Sequence, residues 1–115
     1  MILVIFEVEP KGEATDDYFT LAAGLREELQ KIDGFISIER FQSVTNPEKF
    51  LSLSAWRDEA AIEDWYRHSG HAAAQEAGRA RIFNDYRIRV ARVFRDYDMA
   101  KGRAGAMAEA TASAE

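Results

Sequence analysis

The sequence predicts one α+β domain whose elements follow in the order strand, helix, strand, strand, helix, strand. Three observations support this class. The chain has 115 residues, which is the length of a single domain. Four runs are rich in β-branched and aromatic residues, as strands are. Two segments between these runs place their apolar residues at helical spacing, and turns containing Gly or Pro separate the elements.

The first element is a strand and the second a long helix. Residues 2–9 are β-branched and aromatic and stop at a proline, which is typical of a largely buried strand. A helix is predicted over 14–32, with Thr15 or Asp16 as its N-cap and Gly34 as a left-handed C-cap. Its apolar residues recur along one helical face: Tyr18, Leu21, Ala22, Leu25, Leu29 and Ile32.

A β-hairpin is predicted next, from two alternating runs joined by a turn at Asn46-Pro47. In the first run, residues 35–44, a bulge near Glu39 would bring two out-of-phase apolar patterns together. In the second run, residues 50–56, one face carries Leu51, Leu53 and Ala55, and the other carries Phe50, Ser52, Ser54 and Trp56.

The helix that follows is expected to be broken in two. Asp58 is the predicted N-cap of a helix over about 59–67. Ser69-Gly70 interrupts that helix, and a second short helix is predicted over 71–79.

The last strand is predicted over 82–95, with a bulge at Ala91-Arg92 where the alternation changes phase. Residues 99–115 are rich in Ala and have almost no large apolar side chains, so we expect a frayed or disordered tail. The domain is therefore expected to span residues 1–98.

Two β-α-β halves with right-handed crossovers give a four-stranded antiparallel sheet with both helices on one face, which is the ferredoxin-like arrangement. The uncovered face is expected to be aromatic, with Phe6, Phe50, Trp56 and either Phe41 or Phe94. Such a face is too apolar to lie in water. A second copy packed sheet to sheet would cover it, so we expect a homodimer.

Charge and composition exclude some classes of partner. The net charge of −5 argues against non-specific binding to nucleic acid or to an anionic membrane. The absence of cysteine excludes disulfides and thiolate chemistry. The N-terminal apolar run, Ile2 to Phe6, is too short for a signal segment or a membrane span. We therefore expect a cytoplasmic protein.

Two histidines, His68 and His71, are the residues best suited to proton transfer. His71 is interpreted as a base or hydrogen-bond donor in a pocket, or alternatively as a helix cap. His68 is interpreted mainly as a solvated helix end. The pair has no clear third ligand, so no metal site is predicted. The chain also lacks a phosphate-binding glycine loop and a G-x-S-x-G nucleophile elbow.

Aromatic and basic side chains supply further candidates. Trp56 and Trp65 are suited either to substrate stacking or to core packing. Hydroxyl groups that could orient a ligand are those of Tyr66, Tyr86 and Tyr97. Arg87 and Arg89 are expected to pair across strands with Glu7 or Glu9.

The stretch from 50 to 79 resembles the antibiotic-biosynthesis-monooxygenase domains of the dimeric α+β barrel family. The motif consists of a strand ending in Trp, an acidic helix start, a Trp within the helix and then H-x-x-x-Q, which here are Trp56, Asp58-Glu59, Trp65 and His71 to Gln75. The resemblance spans about residues 2–98. It implies the barrel-forming homodimer and a small-molecule substrate.

Two branches of that family suggest two activities. One oxygenates aromatic polyketides and quinone precursors without metal or flavin. The other binds and degrades heme, but its ligating histidine corresponds to Gln75 here, and its first-strand Asn to Glu7 or Glu9. The resemblance therefore implies a cofactor-independent monooxygenase of a small aromatic or quinol-type substrate. Heme degradation is one alternative, and a non-catalytic dimeric binding or stress-associated module is the other.

On this reading the pocket lies between the sheet and the helices. The expected catalytic residues are His71, which deprotonates or orients the substrate, and Trp65. The expected substrate-binding residues are Phe6, Phe41, Trp56, Gln75, Phe83 and Tyr86.

Overall fold

The computed structural model describes residues 1–68 and 82–102. Its elements follow in the predicted order: β1 (Ile2–Pro10), α1 (Thr15–Gln30), β2 (Phe35–Gln42), β3 (Phe50–Trp56), α2 (Glu59–Arg67) and β4 (Phe83–Arg92), with a short 3₁₀ turn at Gly12–Ala14. The four strands form one sheet in the order β2-β3-β1-β4, and neighbouring strands are antiparallel. The α+β ferredoxin-like class is confirmed. The predicted helix at 71–79 and the tail beyond 102 lie outside the described residues.

The helices pack on one face of the sheet and bury two clusters of side chains. Near one end, Ile2 and Trp56 of the sheet pack with helix residues that include Leu29, Ile62 and Trp65. Near the other end, the cluster consists of Val8, Ala14, Tyr18, Phe50 and Ile82. The apolar stripe predicted for α1 supplies both clusters, because its buried members are one and two helical turns apart.

The expected composition of the uncovered face is wrong for Phe6, Phe50 and Trp56, which all face the helices. Alternation along a strand shows which residues share a face, but it does not show which face the helices cover. The outer face instead carries half-buried aliphatic residues: Leu3, Ile5, Leu51 and Leu53. Phe41, which pairs with Leu51 across the ladder, lies on this outer face as expected. Phe94 follows the end of β4 and is exposed.

The irregularities of the sheet lie at other positions than predicted. The β2–β3 register shifts between Phe35 and Ser37 instead of near Glu39. The β1–β4 register shifts between Glu9 and Pro10, whereas the ladder continues regularly to Arg92. A proline lacks the backbone N–H that a ladder requires, which explains the break at Pro10.

The two helices begin differently. Ala14 is the N-cap of α1, so the prediction of Thr15 or Asp16 is wrong; the Thr15 hydroxyl instead donates to the carbonyl of Gly12 at 3.3 Å. The Asp58 side chain caps α2 as predicted, because it accepts the backbone N–H of Ala61 at 3.0 Å. This bond, together with the adjacent Arg57 guanidinium, lowers the pKa of the Asp58 carboxyl.

The connection into β2 depends on Gly34, which is left-handed as predicted, with φ of +94°. α1 has already ended at Gln30, so Gly34 shapes the turn and not the helix terminus itself. Arg57 bonds both Asp33 beside this glycine and Asp58 at the start of α2. The turn is thus tied to the beginning of the second helix.

Candidate functional site

A cavity of about 160 Å³ lies between the sheet and the two helices. Most of its described lining is apolar or aromatic: Val4, Phe6, Leu21, Ala22, Leu25, Leu29, Trp56, Ile62, Trp65, Phe83 and Ile88. An apolar cavity of about 150 Å³ in another protein holds a benzene molecule. The space is therefore suited to a ligand of about one ring.

Two serines on β3 help to create this space. Ser52 and Ser54 occupy helix-facing positions between the much larger Phe50 and Trp56. Both serines line the cavity and both are buried. Because a serine side chain is far smaller than its aromatic neighbours, the floor of the site is left open between them.

Trp56 is held in place by a specific hydrogen bond. Its indole N–H donates to the Ser54 hydroxyl at 2.9 Å, and both groups are buried. The Phe35 ring packs edge-on against the indole, with 5.2 Å between ring centroids. The second tryptophan, Trp65, lies on the buried face of α2 and stacks on the His68 ring at 5.5 Å. Both indoles are therefore fixed parts of the cavity wall.

The opposite wall is an aromatic group from three elements. Phe6 contacts Phe83 at 5.6 Å and Tyr86 at 5.8 Å between ring centroids, and Tyr18 contacts Phe83 at 6.2 Å. Rings in tilted and edge-on pairs attract one another beyond the area they bury. These contacts make the wall rigid and give the cavity flat surfaces on which a ring can stack.

Tyr18 and Arg40 bring polar groups to this apolar site. Tyr18 is only 4% exposed, and its hydroxyl has no hydrogen-bond partner within residues 1–68 and 82–102. The Arg40 Nε is likewise buried and unbonded in that part of the chain. Leaving such a group unpaired costs about 1–3 kcal/mol. Burial raises the pKa of Tyr18, and the nearby Arg40 charge opposes that rise only partly, so the hydroxyl stays protonated near neutral pH.

Comparison with known proteins identifies the family. Residues 1–77 match the family model described as antibiotic biosynthesis monooxygenase. The chain belongs to this family. A Pyricularia oryzae protein named jasmonate monooxygenase ABM is 45% identical over 93 residues, which are 81% of this chain and 43% of that protein. The uncharacterized protein YqjZ of Bacillus subtilis is 34% identical over 84 residues, or 73% of this chain and 66% of that protein. The chain thus spans less than two thirds of either relative.

Solved structures share the fold of this family member. A conserved Methanosarcina mazei protein superposes with a TM-score of 0.73 at 24% identity, over 79% of this chain and 90% of that one. A crystal structure of an antibiotic biosynthesis monooxygenase superposes with a TM-score of 0.70 at 20% identity, over 81% and 98%. At these identities the likeness concerns the arrangement of sheet and helices.

Most of the residues that the sequence predicts for the site do line the cavity. Its described lining includes Phe6, Trp56, Trp65, Phe83 and Tyr86. The prediction that Phe41 lines the pocket is wrong, because Phe41 lies on the outer face of the sheet and not in the cavity. His71 and Gln75 lie outside the described residues, so their expected roles stay predictions.

Sequence reasoning missed the polar residues of the site. Tyr18 was interpreted only as a member of the α1 stripe, and Arg40 was not singled out. Arg40 faces the cavity because the β2 register shifts before Ser37, whereas a bulge at Glu39 would change the side on which it lies. The sequence signal that could have identified Arg40 was an arginine within an alternating strand. In the sheet this arginine pairs with Ser52, which in turn pairs with Phe6.

His68 lies within the described residues, and its contacts can be stated. Its Nε2 lies 3.1 Å from a carboxylate oxygen of Glu28 on α1, and its side chain is 26% exposed. His68 is the C-cap of α2, so it stands at the helix end as expected, but its side chain is partly buried and paired with Glu28 instead of being simply solvated. His68 is not among the described cavity-lining residues.

In residues 1–68 and 82–102, no three His, Asp or Glu side chains lie together as a metal site. The cavity is also smaller than the roughly 300–1,000 Å³ typical of drug- and cofactor-sized ligands. In the same part of the chain, neither helix has the length and apolarity needed to cross a bilayer.

Proposed function

We propose that this chain is a monooxygenase that oxidises a small aromatic or quinol-type substrate without a metal or flavin. The observation that supports it best is the cavity itself, which is of one-ring size, is walled by aromatic side chains and lies in a domain of a monooxygenase family. An apolar enclosure suits this reaction because it keeps water away from reactive oxygen intermediates.

The reaction balances with the substrate as the only reductant. A quinol and dioxygen give a hydroxyquinone and water: one oxygen atom enters a ring C–H bond and the other leaves as water. The quinol loses four electrons, and the dioxygen gains four. The first step is removal of a phenolic proton, because the phenolate is a far better electron donor to oxygen than the phenol.

The proposed roles of the aromatic residues follow from their positions in the cavity, and the proposed role of His71 follows from its chemistry. Trp56 and Trp65, with Phe6 and Phe83, hold the ring by stacking. His71 is the proposed base because a histidine titrates near neutral pH. Tyr66 also lines the cavity, but burial and Glu63 raise its pKa, which makes its hydroxyl a donor and not a base.

The Pyricularia oryzae relative widens the set of compounds worth testing. Its name assigns jasmonate as a substrate, and its identity to this chain is 45%. Jasmonate has a single carbocyclic ring with a ketone and a carboxylate. We therefore include jasmonate as a binding probe beside the quinols and phenols, because its ring has no phenol to supply the electrons that the proposed reaction needs.

Oxygen uptake by the parent protein and by a histidine variant tests the proposal. We expect the purified protein, treated with a chelator, to consume oxygen with at least one quinol faster than the spontaneous oxidation. His71→Ala should lose most of this rate, by about a hundredfold for a missing general base. Thr20→Ala, at an exposed position on α1, is the control, because His68 itself stacks on Trp65 of the cavity wall. Equal rates for His71→Ala and the parent protein would exclude the base role.

We also propose that the protein is a homodimer that pairs through the outer face of the sheet. That face carries half-buried Leu3, Ile5, Leu51 and Leu53, with no helix over it in the described part of the chain. Leucine and isoleucine gain about 1.5–3 kcal/mol each when fully buried.

Light scattering tests the dimer in the parent chain and in two variants. One variant introduces a carboxylate on the outer face of the sheet, and the other introduces one in an exposed turn. The parent chain should show twice the 13.0 kDa of the monomer. Leu53→Asp should be monomeric because it places a carboxylate in the interface. Val44→Asp, in a turn where Val44 is 97% exposed, should remain dimeric. A monomeric parent chain would disprove the assembly.

A further inference from the structure

We propose that Tyr18 and Arg40 bind a carboxylate of the substrate, so that this cavity selects small ring compounds that carry an acid group. The inference rests on the proposed function for the ligand's position in the cavity. It adds the chemical class of the ligand, which the apolar walls alone do not specify.

Arg40 supplies a positive charge to the wall of the cavity. It is a cationic residue on the helix-facing side of β2, and it lines the cavity beside Ser52. Within residues 1–68 and 82–102, no Asp or Glu forms an ion pair with it, although the chain has 20 acidic and 15 basic residues. Among the other described arginines, Arg57, Arg67, Arg89 and Arg92 have carboxylate partners, and those without one do not line the cavity: Arg26, Arg87 and Arg95. A guanidinium is a planar cation with a fork of N–H donors, so it is suited to an anion, and the described part of the chain supplies none.

Tyr18 is the second polar residue, and its hydroxyl lies close enough to Arg40 for the guanidinium to lower its pKa against the effect of burial. Its side chain is more than nine-tenths buried, it lines the same cavity, and its hydroxyl oxygen lacks a hydrogen-bond partner in the part of the chain that the structure describes. Buried polar groups are nearly always hydrogen-bonded, so an orphaned hydroxyl beside a cavity points to a ligand. The hydroxyl is a neutral donor, and a carboxylate oxygen is the acceptor that it and the guanidinium can share.

The size and polarity of the rest of the cavity restrict the remainder of the ligand. The space of about 160 Å³ accepts one ring, and the surfaces away from Tyr18 and Arg40 are mainly aromatic and aliphatic. A compound with an apolar ring and one acid group can place its ring against the apolar walls and its acid group against Tyr18 and Arg40. A neutral ester of the same compound keeps the ring contacts but loses the charge-assisted bond, which is about twice as strong as a neutral one.

Calorimetric titration with gentisate and methyl gentisate, a quinol acid and its neutral ester, tests this inference. The titrations are made without oxygen, so that binding is measured apart from turnover. We expect the acid to bind the parent protein about tenfold more tightly than the ester. Arg40→Gln should abolish that preference, and Tyr18→Phe should reduce it several-fold. Arg26→Gln, an exposed arginine on α1, should retain it.

The control variants keep the result interpretable. Arg40→Lys preserves the charge and should keep a preference for the acid, which shows that any loss in Arg40→Gln comes from charge and not from misfolding. Equal binding of acid and ester to the parent protein would overturn the inference, as would an unchanged preference in Arg40→Gln. Acid-selective binding without any oxygen uptake would support this inference while counting against the proposed monooxygenase.

Discussion

The indole N–H of Trp56 donates a hydrogen bond of 2.9 Å to the hydroxyl of Ser54, two residues earlier on the same strand face. This bond joins a side chain that creates space in the cavity to one that forms its wall. Ser54→Ala should leave a buried N–H without a partner and destabilise the protein by about 1–3 kcal/mol. Urea unfolding measures this change. Ser37→Ala, at an exposed position of β2, should change stability by less than about 0.5 kcal/mol.

Replacing each of two glycines by alanine tests the conformation of the turn before β2. Gly34 has φ of +94°, and a Cβ there would lie 2.7 Å from the Ala61 Cβ and 3.3 Å from the Arg57 guanidinium. Gly34→Ala should cost at least about 1–2 kcal/mol of unfolding free energy. Gly24→Ala should instead stabilise by about 0.5–1 kcal/mol, because Gly24 is helical and has open space around it. Equal effects of the two changes would refute the left-handed turn.

The N-cap of α2 predicts a pH dependence. The pKa of Asp58 is lowered in the folded chain, first by the backbone N–H of Ala61 and then by Arg57. A lowered pKa contributes stability above the unfolded-state value of 3.8, and this contribution disappears as pH falls through the folded-state value. Asp58→Asn keeps a capping oxygen but does not titrate. The advantage of the parent over Asp58→Asn should therefore be present at neutral pH and lost below pH 3.8; an advantage that persists in acid would contradict it.

Filling the cavity should stop the reaction without unfolding the protein. Ser52→Leu adds apolar bulk to the floor of the site, where Ser52 is buried. We expect the oxygen-uptake rate to fall by at least about tenfold, with a stability change below the roughly 3 kcal/mol of severe overpacking. Thr20→Leu, an exposed position on α1, is the control. Full activity in Ser52→Leu would show that the substrate binds elsewhere.

The element order was predictable from the sequence because apolar spacing and turn residues act locally. The stripe from Tyr18 to Leu29 and the cap at Asp58 needed no knowledge of distant contacts. The covered face of the sheet was not predictable in this way, since both faces of β3 alternate equally well. For that reason Phe6, Phe50 and Trp56 were first assigned to the outer face, although they contact the helices.

The aromatic part of the site was predictable from the family resemblance, but its polar part was not. Trp56, Trp65 and Phe83 are large and few, so their placement in a pocket was a natural prediction. Arg40 depended on a register shift at Phe35 to Ser37, which results from pairing with β3. Tyr18 depended on its hydroxyl having no hydrogen-bond partner among the described residues, which only a folded chain reveals.

Oxygen labelling tests the central claim most directly. The protein is freed of metals with a chelator and given a quinol under isotopically heavy dioxygen, and the product is examined by mass spectrometry. We predict a hydroxyquinone that contains one heavy oxygen atom, formed faster than with the Ser52→Leu variant, whose cavity is filled. A product without the heavy atom, or the same rate of formation in both proteins, would contradict the account.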